Sequence, residues 1–174
     1  MALCNYATQV RGLQIGLVNY YREDLKGFQL GLVNANPDTK VQMMAYGGNV
    51  TPANIGVRFK NQLFYTILGV GSMYQGLNDK FSASASYRAG LSFPIYKGLS
   101  ISGDLGYQHI EAFDNKDEVI PGRLYALQAR ANLEYQLTKK FGIFATGGYG
   151  LTRFYNKSGN YDKGAIIEAG IVLF

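Results

Sequence analysis

The stretch FSASASYRAGLSFPI at Phe81–Ile95 alternates apolar and polar residues along its whole length. Because successive side chains of a β-strand point to opposite faces, one face carries aromatic, aliphatic and alanine residues and the other carries serine, arginine and glycine. A strand of an ordinary globular domain has about five or six residues. A strand that crosses a bilayer needs about 9–11 and can project beyond it. The stretch therefore predicts a tilted transmembrane β-strand.

The same alternation continues in the next two segments. LSISGDLGY at Leu99–Tyr107 and YALQARANLEYQL at Tyr125–Leu137 each place apolar residues on one face and polar residues on the other. The connections are short at one end of the strands, as in YKGL at Tyr96–Leu99, and long at the other, as in FDNKDEVIPGR at Phe113–Arg123. Short turns on one side and longer loops on the other are typical of transmembrane barrels.

These patterns predict an all-β protein: one antiparallel, up-and-down transmembrane β-barrel over residues 1–174, with about ten strands. An alternative of eight strands stays open, in which two early segments merge or lie outside the wall. The expected strands are residues 8–20, 26–34, 40–48, 53–60, 62–74, 81–96, 99–112, 123–138, 141–155 and 164–174.

The composition fits a protein with one lipid-facing surface. Charged residues make up 17% of the chain and aromatic residues 14%, whereas soluble domains have about 25% charged residues. A single cysteine, Cys4, excludes an internal disulfide. The formal charge is +5, but the basic residues are spread along the chain. We therefore expect anionic lipid head groups as partners and no nucleic acid.

A repeat occupies the first part of the chain. RGLQIGLVN at Arg11–Asn19 returns as KGFQLGLVN at Lys26–Asn34, fifteen residues later. At a period of two, Leu13, Ile15 and Leu17 share one face, opposite glycine and glutamine. We expect each repeat to form one wall strand and one turn. Its large apolar side chains would face lipid, whereas its glycine and glutamine residues would face a crowded lumen.

The chain resembles the bacterial outer-membrane β-barrel class. Its end, AIIEAGIVLF at Ala165–Phe174, is similar to the C-terminal aromatic signature of that class, and the repeats resemble those of bacterial surface-repeat barrel proteins. Glu168 shares a face with Val172 and Phe174, so we expect either a bulge that turns Glu168 inward or a displaced Phe174. The resemblance implies a bacterial outer-membrane location, with the signal peptide absent from this chain. It also implies outer-membrane lipids, lipopolysaccharide, the outer-membrane assembly machinery (through the strand ending in Phe174) and a larger outer-membrane complex as partners.

Charged residues on the polar faces of three consecutive strands predict a network inside the barrel. Unpaired charges away from water are costly, so we expect them to pair across a narrow lumen. The network either plugs the barrel or lines a narrow pore, and we favour the plug because so few strands leave little interior space. The predicted lumen network is Arg88, Asp104, Arg130 and Glu134.

Basic residues near the expected long loops form a second candidate site. Such a ring could pair with the phosphates of lipopolysaccharide or dock a partner protein, and ordinary surface charge is the alternative. The predicted contacts are Arg22, Lys26, Lys80, Arg123, Arg153, Lys157 and Lys163.

The sequence predicts no catalytic, metal or cofactor site. His109 is the one histidine, and Glu111 lies two residues later on the same face. The His-x-Ser arrangement of outer-membrane lipid A deacylases is missing, although a hydroxyl from Ser72 or Ser82 stays open. We expect a non-enzymatic protein with a structural, adhesive or accessory role in the outer membrane. A narrow channel and, less favoured, a lipid-A-modifying enzyme are the alternatives.

Overall fold

The computed structural model describes residues 2–72, 74, 77, 81–113, 122–155 and 159–174, apart from the side chain of Phe28. No helix within these ranges is long and apolar enough to cross a membrane. The strands are β1 (Cys4–Ile15), β2 (Val18–Leu30), β3 (Val33–Ala35), β4 (Lys40–Gly48), β5 (Ala53–Asn61), β6 (Phe64–Ser72), β7 (Ser82–Tyr96), β8 (Leu99–Ala112), β9 (Arg123–Gln136), β10 (Phe141–Phe154) and β11 (Asn160–Leu173).

Strands β4 to β11 form a closed antiparallel barrel. Each strand pairs with its neighbours in chain order, and β11 closes the wall by pairing with β4. The closing seam pairs Glu168–Leu173 of β11 with Met43–Gly48 of β4, so the sheet forms a closed wall. The all-β, up-and-down fold with eight strands is confirmed, and the expected count of about ten is wrong. The barrel spans residues 40–173, so β1–β3 lie outside the barrel expected over residues 1–174.

The connections differ between the two ends of the barrel. At the short-turn end, β5 joins β6 through residues 62–63, β7 joins β8 through 97–98, and β9 joins β10 through 137–140. Gly98 has a φ of 86°, a left-handed value that permits the tight β7–β8 turn. Three of the four connections at the other end, the long-loop end, are longer: residues 73–81, 113–122 and 155–159.

The last strand keeps a regular alternation to its end. Glu168 and Val172 point into the barrel, whereas Ile167 and Leu173 point outward with exposures of 67% and 46%. The register of β11 against β10 runs without a shift through Glu168. The expected bulge is therefore wrong, because Val172 belongs to the interior face together with Glu168. Phe174 is partly buried and packs against interior apolar side chains.

The repeats do not form wall strands, and this corrects the expectation for residues 8–20 and 26–34. Strands β1, β2 and β3 form a separate parallel sheet. Gln14 lies beside Gln29, and Asn19 lies beside Asn34, one repeat apart. Each residue of one repeat thus lies beside the equivalent residue of the next repeat, so β1 and β2 are successive coils of a short solenoid. We call β1–β3 the repeat sheet.

Two amide ladders join equivalent residues of successive repeats and hold the parallel strands in register. Asn5 Nδ2 donates to Asn19 Oδ1 over 2.8 Å, and Asn19 Nδ2 donates to Asn34 Oδ1 over 2.8 Å. In the second ladder, Gln29 Nε2 donates to Gln14 Oε1 over 2.7 Å. Parallel stacking places like side chains on like, which is the arrangement that amide ladders require. The glutamines therefore face each other inside the repeat sheet and do not face a lumen.

The repeat sheet rests against the outer wall of the barrel near the β5–β6 turn. The Thr66 hydroxyl donates to the Leu32 carbonyl oxygen over 3.0 Å, and the Tyr87 hydroxyl donates to the Gly31 carbonyl oxygen over 2.9 Å. Thr66 alternates with the inward residues Tyr65 and Ile67, so it faces outward, yet its exposure is only 1%. The repeat sheet therefore covers part of the wall.

Candidate functional site

The interior of the barrel is filled by side chains. Inward positions alternate with outward positions along each strand, and the inward residues come close together because eight strands enclose little space. Six charged residues from five strands meet in the middle of this interior. We call them the lumen charge layer: Arg58, Arg88, Asp104, Arg130, Glu134 and Glu168.

The centre of the lumen charge layer is the Arg88–Asp104 pair. Arg88 Nε and Nη2 each donate to one carboxylate oxygen of Asp104 over 2.8 Å. Tyr65 and Asn132 also donate to Asp104, each over 2.8 Å. The Arg88 side chain is 1% exposed and that of Asp104 0%. The pair is therefore desolvated. The Asp104 carboxylate accepts a bidentate contact and two further donors, whereas Arg88 Nη1 has no hydrogen-bond partner among the described residues.

A second pair joins opposite parts of the wall. Arg58 Nη1 and Nη2 donate to the two carboxylate oxygens of Glu134 over 2.6 Å and 3.0 Å. Arg58 Nε donates to Gln42 Oε1 over 2.7 Å. Arg58 lies on β5 and Glu134 on β9, which are not neighbours in the barrel. The contact therefore crosses the lumen.

A third pair completes the layer. Arg130 Nη2 donates to Glu168 Oε1 over 3.3 Å, and Arg130 Nε lies 3.2 Å from Glu168 Oε2. Arg88 Nη1 lies 3.7 Å from the same Glu168 oxygen. Glu168 thus links Arg130 to the central Arg88–Asp104 pair. Three arginines and three carboxylates balance one another.

Two apolar clusters lie in the interior beside the charged residues. The first packs beside the lumen charge layer, where the Tyr46 ring lies 5.9 Å from the Arg88 guanidinium carbon. The second lies at the long-loop end and includes Tyr74 and Leu77 from the β6–β7 connection, exposed by 5% and 0%. The first cluster is Met44, Tyr46, Tyr65, Ile67, Phe144 and Val172; the second is Tyr74, Leu77, Ile110, Ala112, Leu124 and Ala126.

The four predicted network residues all point into the barrel, but they do not form one closed set. Arg88 pairs with Asp104, whereas Arg130 and Glu134 pair with residues that the prediction left out. Their partners, Glu168 and Arg58, carry a readable signal. Ile167, Ala169 and Ile171 alternate around Glu168, and Ile55, Val57 and Phe59 alternate around Arg58. Those flanking residues assign both charges to the interior face.

The predicted basic ring is divided between the two ends of the molecule. Arg123, Arg153 and Lys163 lie near the long-loop ends of β9, β10 and β11. Arg22 and Lys26 do not lie with them, and this corrects the expectation. Both belong to β2 in the repeat sheet, which packs near the β5–β6 turn at the opposite end. Lys80 and Lys157 lie outside the described residues.

His109 lies on the outer surface of β8, in a small polar cluster near the long-loop end. Its Nδ1 is 2.8 Å from the Tyr155 hydroxyl, and its Nε2 is 3.3 Å from Glu111 Oε2. Glu111 also accepts from Arg123 Nε over 3.1 Å. Ser82 points the opposite way, into the barrel, where its hydroxyl accepts from the Tyr74 amide over 2.8 Å.

Ser72 shares the outer face with His109 but lies on another strand. In the register of the wall it is opposite Ala83, which is opposite Glu111. Two strand spacings, about 10 Å, therefore separate Ser72 from the strand of His109. Within the described ranges, no group of three histidine, cysteine, aspartate or glutamate residues is arranged to hold a metal ion.

The comparisons with known proteins agree with the geometry at the level of fold. No protein-family model and no curated protein sequence matches the chain. Among solved structures, the chain is similar to Neisserial surface protein A, with a TM-score of 0.50 and 9% sequence identity. The match covers 76% of this chain and 93% of that chain. At this identity the likeness is one of fold: a closed antiparallel barrel.

Proposed function

We propose that the protein is an integral β-barrel of a bacterial outer membrane, with a lumen closed by its own side chains and a structural, adhesive or accessory role. The filled lumen is the observation that carries the proposal. It holds three buried arginine–carboxylate pairs, and the Tyr74 and Leu77 side chains occupy its long-loop end.

The outer surface supports the membrane location. Leu105, Ile101, Leu133 and Ile167 point outward from the wall with exposures of 71%, 46%, 49% and 67%. A soluble barrel would leave these aliphatic side chains in water, whereas a bilayer provides an apolar medium for them. With the short turns toward the periplasm, the long loops face the outside of the cell.

The lumen favours a closed barrel over the alternative of a narrow channel. A conducting path needs a continuous water-filled route, and both apolar clusters and the paired charges stand in its way. Within the lumen charge layer three arginines and three carboxylates balance, so this layer lacks the excess of one sign that gives a pore its ion selectivity. A channel would require the lumen charge layer and the apolar cluster at the long-loop end to rearrange together.

We further propose a non-enzymatic role. His109 contacts Tyr155 and Glu111, and Ser82 lies on the opposite side of the wall. A hydrolytic site needs a nucleophile within hydrogen-bond reach of its base, and Ser72 is about 10 Å away along the sheet. We therefore favour the non-enzymatic role over the lipid-A-modifying alternative.

The partners in this proposal follow from the two ends of the barrel. At the long-loop end, Arg123, Arg153 and Lys163 are placed to pair with lipopolysaccharide phosphates. The assembly machinery would recognise β11 and Phe174, and the exposed outer surface leaves room for a larger outer-membrane complex. We propose no nucleic-acid partner, because the basic residues are spread along the chain without a clustered run.

A planar-bilayer experiment tests the closed lumen. We expect the refolded protein to give no regular current steps, since the interior has no open path. Insertion is checked separately by heat-modifiable migration on a gel and by protection of the barrel from protease in vesicles. Regular unitary steps from inserted wild-type protein would overturn the closed barrel. Recovery of the native protein in the aqueous fraction, without detergent, would contradict the membrane location.

A further inference from the structure

A cavity of about 810 Å³ opens at the short-turn end of the barrel, below the lumen charge layer. It is formed by the starts and ends of strands and by two tight turns. This volume is within the usual range of small-molecule sites, about 300–1,000 Å³. Tyr96 and Phe174 contribute to its lining, together with the polar side chains of Gln42, Gln136 and Ser100. We call this cavity the lysine vestibule.

Positive charges predominate around the lysine vestibule. Lys40, Lys60, Lys97 and Lys139 line it. The one carboxylate in the lining is that of Glu134, and both of its oxygens already accept from the Arg58 guanidinium over 2.6 Å and 3.0 Å. None of the four lysines has an ion pair with a carboxylate of the described residues.

The strand register brings two of these lysines together. Lys40 on β4 and Lys60 on β5 are direct cross-strand partners, so their side chains leave the sheet on the same face. Like charges directly opposite each other on antiparallel strands destabilise the pair. Nothing in the alternation of β4 or β5 requires a lysine at both positions. A bound anion between the two ammonium groups would remove the repulsion.

Two further contacts hold the ammonium groups in place. Lys60 Nζ donates to the Ser92 hydroxyl over 2.9 Å, which draws it into the barrel mouth. Lys97 Nζ lies 5.5 Å from the centre of the Tyr96 ring, a cation–π distance. Both groups keep free N–H donors for a ligand, because an ammonium has three.

We propose that the lysine vestibule binds a phosphate-bearing anion. A lysine ammonium group is a compact positive charge with three rotatable donors. Several such groups around a half-enclosed, polar cavity can pair with the oxygens of a phosphate. The ligand is either a soluble phosphorylated molecule or the phosphate of a lipid head group that reaches the mouth from the adjacent leaflet. In the proposed orientation this mouth faces the periplasm. The site does not depend on whether the lumen conducts.

The test uses the full chain, refolded in a neutral detergent at low salt, with inorganic pyrophosphate as the probe. We expect saturable binding by isothermal titration calorimetry. Lys60→Gln and Lys97→Gln should each weaken binding by about tenfold, since each removes one of the charges that contact the ligand. Lys26→Gln removes the same charge from the repeat sheet and should leave binding unchanged. Heat-modifiable migration shows that each variant is folded.

A second arm distinguishes the two ligand sources. The same titration is run in nanodiscs of phosphatidylcholine, with and without phosphatidylglycerol. If phosphatidylglycerol competes with pyrophosphate in the wild type but not in Lys97→Gln, the ligand is a lipid head group. If the lipid has no effect, the ligand is soluble. Either result supports the site. The absence of saturable binding in every condition, or an equal loss in Lys26→Gln, would overturn it, whatever the bilayer currents show.

Discussion

Replacing Arg88 with alanine should lower the free energy of unfolding by about 3–5 kcal/mol. The substitution removes both donors that hold the Asp104 carboxylate at 2.8 Å. Asp104 then remains as a charge inside the barrel, with only Tyr65 and Asn132 as donors. The effect is large because breaking one partner of a buried pair leaves the other uncompensated in a medium of low dielectric constant. Urea unfolding of the protein in phospholipid vesicles measures the change.

Two comparisons separate the buried charge from a general loss of contacts. Arg123→Ala removes a guanidinium that contacts Glu111 over 3.1 Å but is 68% exposed. It should have little effect on unfolding, because water and salt screen an exposed pair. Arg88→Met combined with Asp104→Leu should recover part of the stability lost in Arg88→Ala, since no unpaired carboxylate remains. Equal unfolding curves for Arg88→Ala and Arg123→Ala would contradict the lumen charge layer as a stabilising core.

Asn19→Ala should open the repeat sheet while leaving the barrel folded. Asn19 is 0% exposed and links Asn5 to Asn34 through two amide hydrogen bonds of 2.8 Å. Each buried group left without its partner costs about 1–3 kcal/mol. The expected result is a rise of about 10- to 100-fold in the rate of tryptic cleavage at Arg22 and Lys26, because cleavage follows the population of the opened form.

Gln9→Ala is the matched control for this experiment. Gln9 is exposed on β1 of the same sheet, so its loss should leave the cleavage rate near that of the wild type. Heat-modifiable migration should be retained in both variants, since β4–β11 close the barrel without the repeat sheet. A cleavage rate unchanged by Asn19→Ala would contradict the amide ladder. Loss of the barrel in Asn19→Ala would contradict the independence of the two parts.

The alternation of Phe81–Ile95 and the segments after it was sufficient to predict the wall strands and the inward face of Arg88, Asp104, Arg130 and Glu134. A period of two is a local property of an extended chain, and a membrane barrel buries one face and exposes the other along each strand. The partners of Arg130 and Glu134 were missed although their flanking residues alternate. The expectation for Glu168 rests on the face that it shares with Phe174 at the end of the chain, and not on its direct neighbours Ile167 and Ala169.

Two features depend on the tertiary structure: the sheet that the repeats form, and the partners of the buried charges. The period of GLQIGLVN and GFQLGLVN is compatible with an antiparallel hairpin and with a parallel solenoid, because both are built from extended residues. The parallel register is a property of the folded chain, in which Asn19 and Asn34 lie side by side. Likewise, Arg58 and Glu134 are far apart in the chain and meet because the wall closes between β11 and β4. Sequence periodicity determines which face a residue occupies, whereas closure and register determine what it meets there.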